Sequence, residues 1–162
     1  MNRREALKTG AALAAVVPFL EAADWKPALF NAHQNETVIA LTDLIIPATD
    51  TPGAKAALVN RYIDLLLKDG PESERDRFVS GLAWLDEESN RQYKTNFVKL
   101  PVSKQTALLQ SMDSGDGEGN QLFRMAKSMT VRIYYQTEPG FKELNKYGVP
   151  KTFGCTHADQ HA

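Results

Sequence analysis

QLFRMAKSMTVRIYYQ, residues 121–136, places Leu122, Met125, Ala126, Met129 and Ile133 at intervals of three and four. That repeat is the signature of one face of an α-helix. Phe123, Tyr134 and Tyr135 add aromatic bulk to the same segment, and aromatics at helical spacing read as core. An alternation of period two shows only around Val131–Tyr135, inside the helical stripe. The segment therefore reads as a helix, and no other part of the chain argues for a strand.

Working outward, helical spacing continues in both directions. The glycine-rich loop Ser114–Asn120 separates this segment from a short helix that Ser103 can cap, running through Met112 with Ala107, Leu108 and Leu109. Phe97 and Leu100 pack ahead of Pro101. A long helix is predicted over Glu72–Tyr93, with Phe78, Leu82 and Leu85 inward, Trp84 on a neighbouring face, and Ser73 as cap with Asp76 three residues on. Lys55–Lys68 places Leu58, Tyr62, Leu65 and Leu66 at i, i+4, i+7 and i+8, the stripe expected to face the core, and Gly70-Pro71 ends it. Glu36–Ile46 is apolar on most sides, which reads as a buried helix stopped by Pro47. The loop Pro47–Gly53 follows it. Downstream, Pro139-Gly140 breaks the pattern before a last short helix over Phe141–Lys146, and a coil tail runs from Tyr147. The expectation is an all-α chain with a single compact domain of five or six helices over residues 24–146, between a signal segment 1–23 and a docking tail 147–162.

The two ends carry different information. Arg3 and Arg4, then Leu7 and Lys8, precede the uncharged run TGAALAAVVPFL from Thr9 to Leu20. That run of 12 residues is too short to span a bilayer as a helix. A basic start and a short apolar stretch are the anatomy of a cleavable export signal. The arginine pair resembles the bacterial twin-arginine signal, a receptor-read address, with Asn2 and Ala6 where Ser or Thr and Phe are usual. The expected location is periplasmic, by the twin-arginine route, with cleavage after Ala22 or Ala23. Cleavage after Ala23 leaves 139 of the 162 residues, which suits one core. The net charge of −1 gives no electrostatic case for nucleic acid, and beyond the signal no run is long and apolar enough to cross a membrane. Any membrane contact would come through the export machinery or partners.

The tail GCTHADQH, residues 154–161, holds the only cysteine and two of the three histidines. Cys155, His157 and His161 are chemically able to bind zinc, and Asp159 could complete a set of four. A tail with little to hold it rigid reads better as a docking segment, so no metal site is assigned. One cysteine in an exported chain has only an intermolecular partner available, so Cys155 is expected to pair with a partner's cysteine. Gly154 lets the backbone turn there, and His157, Asp159 and His161 offer polar groups to a partner surface. Asp113, Asp116 and Glu118 do not fit the calcium-loop pattern and read as a solvated loop with Asp116 near a helix cap. Asp43, Asp50 and Asp64 flank the first loop without a histidine or acid spaced to pair with them, and read as caps. Dinucleotide fingerprints, phosphate loops and nucleophile elbows are absent, so no catalytic or cofactor-binding residue is assigned.

ALTDLIIPATDTPGA (40–54), GLAWLDEESNRQYKTNFVKL (81–100), MTVRIYYQTEPGFKELNKYG (129–148) and the closing GCTHADQH together resemble the gluconate 2-dehydrogenase subunit 3 family. Members of that family have a glycine where this chain has Lys94. The resemblance implies a non-catalytic small subunit that accompanies a large FAD-dependent flavoprotein of the glucose–methanol–choline type. That partner oxidises a sugar or sugar acid and passes electrons to a cytochrome or quinone, and a cytochrome c subunit can join the complex. The small subunit carries the export signal for both and supports the folding of the large one. The FAD and the catalytic histidines lie in the partner. The rival readings are a free-standing periplasmic helical metal- or ligand-binding protein using Cys155, His157 and His161, and an enzyme using Asp43 or Asp50 as base.

Overall fold

The computed structural model describes residues 25–146, and over these the chain is all-α. Six α-helices follow in order: α1 (Ala32–Ile45), α2 (Val59–Asp69), α3 (Glu72–Tyr93), α4 (Val102–Ser114), α5 (Glu118–Tyr134) and α6 (Glu138–Leu144). A single 3-10 turn, Phe97–Lys99, links α3 to α4, and no strand forms among the described residues. The signal arginines Arg3 and Arg4, and the tail residues Cys155, His157, Asp159 and His161, lie outside the described residues.

α5 is the hub. It packs against α1, α2, α3, α4 and α6. Leu122, Ala126, Met129 and Ile133 are buried along it, as their spacing predicts, with Met125 half-buried beside them. Phe123 and Tyr134 are buried as well and widen that one face, while Gln121, Arg124, Lys127, Ser128, Val131 and Arg132 are exposed on the other side. Its closest approach is to α3. A Cβ on Gly81 would stand 2.7 Å from Leu122 Cβ, so glycine is what lets the two helices come this near. Phe78, Leu82 and Leu85 of α3 fill the other side of that contact.

Helix starts differ from those expected. α1 begins four residues before Glu36, because Asn31 and Gln34 form a reciprocal cap. The Asn31 side chain accepts from the Gln34 N–H at 2.8 Å, and the Gln34 side chain accepts from the Asn31 N–H at 3.0 Å. Ser73 and Ser103 do not cap. Pro71 and Pro101 precede the first turns of α3 and α4, with no side-chain cap bond at either. Proline suits a helix start because the N–H it lacks has no intrahelical partner there. For the same reason Pro139-Gly140 does not break a helix. It sits in the first turn of α6, behind Thr137, whose hydroxyl accepts from the Gly140 N–H.

The largest departure concerns α2. It starts at Val59, not Lys55, and it turns the opposite face inward. Val59, Ile63 and Leu67, at i, i+4 and i+8, are buried, together with Asn60 and Asp64. Leu58, Tyr62, Leu65 and Leu66, the stripe expected in the core, are 40 to 51% exposed. Asp64 explains the reversal. Its fully buried carboxylate accepts N–H bonds from Ala28 (2.6 Å), Leu29 (3.0 Å) and Phe30 (2.9 Å). Three donors replace the water a buried carboxylate would lose, so an acid can share a face with Ile63 and Leu67. The clasp also holds residues 28–30 on α2, which brings Phe30 into the core beside Phe78, ring centroids 5.9 Å apart.

α1 is less buried than an all-round apolar helix should be. Thr37, Val38, Leu41 and Thr42 face the core, while Ile39, Leu44, Ile45 and Ile46 remain half-buried.

Candidate interaction surface

The described residues carry their chemistry on outer faces. The most continuous apolar one is on α2. Tyr62, Leu65 and Leu66 lie within one turn of each other on the side opposite Ile63 and Leu67, and Leu58 stands at its N-terminal end. Leu58 is the N-cap residue and adopts a left-handed conformation, φ 56° and ψ 33°. That conformation costs a bulky L-residue roughly 1–2 kcal/mol. Arg61 sits on one flank of the stripe, with its guanidinium 5.0 Å from the Trp25 ring centroid. Lys68 lies a little under two turns on, along the same flank, and Asp69 lies at the C-terminal end.

A second apolar region lies around α1. One cleft of about 230 Å³ is lined by Leu44, Ile45, Leu109 and Phe123, with Asp113 and Lys127 at its edge. On the other side of Leu44, Ile39, Ala40, Val98 and Val102 line a groove rimmed by Glu36, Asp43 and Lys55. On α6, Phe141 and Leu144 are 59 and 57% exposed. Of the aromatics in the last third, Phe123 and Tyr134 are core, as their helical spacing predicts, and Tyr135 is half-buried.

The acidic residues singled out from sequence are not brought together. Asp43 lies half-buried beside the α1 groove, Asp50 is exposed, and Asp64 is buried in its clasp. Asp113, Asp116 and Glu118 are exposed, with Gly117 between the last two as the N-cap of α5. Among the described residues no group of three or more His, Cys, Asp or Glu side chains is placed to hold a metal ion. His33, which stands far from the tail in sequence, pairs with Asp86, whose other oxygen accepts from the Phe97 N–H at 3.1 Å. This link ties α1, α3 and the 3-10 turn, and nothing in the sequence pattern pointed to it.

A cluster of titratable groups joins the 47–53 loop to α5 and α6. Asp50 pairs with Lys146, and Lys142 Nζ lies 2.5 Å from Glu138 Oε1. The Tyr134 hydroxyl lies 2.6 Å from the Pro52 carbonyl and 2.8 Å from Glu143 Oε2. Hydrogen bonds from Lys146 and Lys142 hold the Asp50 and Glu138 carboxyls below their usual range, and the Asp50 bond raises the Lys146 ammonium. Burial, then the bond to Glu143, pushes the Tyr134 hydroxyl up. These shifts run away from neutral pH, the reverse of what a general acid or base at pH 7 requires. The cluster ties elements together by ion pairs. No helix among the described residues is long and apolar enough to cross a membrane.

These features define a class: a helical domain organised around one central helix, with apolar faces left at its surface. The chain belongs to the gluconate 2-dehydrogenase subunit 3 family, whose sequence model matches residues 32–150. No curated protein and no solved structure matches it. The family's name is that of a subunit of a dehydrogenase complex. Lys94 is the C-cap of α3 at φ 59° and ψ 27°, a left-handed position that glycine occupies without strain.

Proposed function

We propose that this chain is the non-catalytic small subunit of a periplasmic FAD-dependent sugar or sugar-acid dehydrogenase. The observation that carries the reading is the family match across residues 32–150. The apolar faces on α1, α2 and α6 support it, since contiguous exposed apolar surface marks sites of protein contact. In this reading the large flavoprotein subunit, of the glucose–methanol–choline type, holds FAD and the reacting groups, and a cytochrome c subunit can receive the electrons. The Arg3–Arg4 signal takes both subunits through the twin-arginine route. This chain helps the large subunit fold and stay soluble. The tail seats on it through His157, Asp159 and His161, with Cys155 bonded to one of its cysteines.

The test is isolation of the tagged chain from the periplasm of its native host, with thiols blocked before lysis. A flavin-containing dehydrogenase subunit is expected to co-purify, and to share one high-mass band with this chain that splits on reduction and is lost in Cys155→Ser. Arg3→Lys with Arg4→Lys is expected to leave both subunits in the cytoplasm. A chain isolated alone, with its own flavin absorbance and dehydrogenase activity, would overturn the reading.

A further inference from the structure

We draw no further inference here: the strongest candidate, the apolar cleft between α1, α4 and α5 lined by Leu44, Ile45, Leu109 and Phe123 with Asp113 and Lys127 at its edge, carries nothing because nothing in the structure shows what covers or fills it.

Discussion

α5 and α2 both carry apolar residues at intervals of three and four, yet they meet the rest of the molecule differently. α5 has one apolar stripe, and five neighbouring helices close over it. α2 has two, and the fold covers only one of them. In α5 hydrophobicity and position agree, because a single stripe leaves a single way to pack. In α2 the stripe with four large apolar residues loses to the stripe that contains Asp64. Three backbone N–H groups at residues 28–30 outweigh the cost of burying a carboxylate there. Hydrophobic pattern ranks faces only while polar groups are assumed to seek water.

Asp64 is the largest lever on that comparison. Asp64→Ala is expected to cost roughly 2–4 kcal/mol in chemical denaturation, because three backbone donors lose their acceptor and the Phe30 N–H is left buried without one. Asp64→Asn is expected to cost less, about 1–2 kcal/mol, since Oδ1 alone takes the bonds from Leu29 and Phe30 and an amide oxygen can do the same. Equal, small effects from both changes would mean that the clasp does not set the orientation of α2.

Next in size is a matched pair one residue apart. Leu67→Ala, at 1% exposure, is expected to cost about 2–4 kcal/mol, whereas Leu66→Ala, at 46%, is expected to cost under about 1 kcal/mol. The reverse order would show that α2 carries its outer stripe inward after all.

A milder effect belongs to Lys94, the second non-glycine residue at positive φ. Lys94→Gly relieves left-handed strain at the α3 C-cap and is expected to stabilise the chain by about 0.5–1 kcal/mol, seen as a higher melting temperature. Leu58 and Lys94 thus form a comparison of their own. Lys94 closes α3 in a left-handed conformation that glycine would adopt without strain. Leu58 is the N-cap of α2, 40% exposed and left-handed, and glycine there would relieve the same strain.

The smallest expected effect concerns the end of α5. The Tyr134 hydroxyl has its pKa raised above the ordinary value of 10.0 by burial and by Glu143. The folded state therefore holds this proton more tightly than the unfolded chain does. Its contribution to stability is fully present below about pH 10 and is lost as pH rises through the higher folded value. A stability profile above pH 9 should fall less steeply in Tyr134→Phe than in wild type. Identical slopes would remove Tyr134 as the source.

Several parts of this arrangement were legible from residue order. The inward stripes of α3 and α5 followed from Phe78, Leu82 and Leu85 and from Leu122, Ala126, Met129 and Ile133, because each helix has one dominant apolar face. The prolines marked boundaries, although Pro71, Pro101 and Pro139 open helices where breaks or serine caps were expected. The Asn31–Gln34 cap is a local sequence pattern, but it lies ahead of the apolar run that marks α1, so the run alone places the helix start too late. The outer stripe of α2 is legible as a stripe, but its spacing alone predicts core, and the Asp64 clasp turns it outward.

Local chemistry, acting over a few residues, determined the all-α character, the order and approximate length of the helices, and the residues that mark the family. Periodicity, proline geometry and composition need no partner to be read. Tertiary structure alone decided which face of α2 turns inward, that His33 meets Asp86, and that Tyr134 meets the 47–53 loop. Each of these depends on a polar group finding its partner across 34 to 82 residues of chain, and no local pattern records where that partner will be.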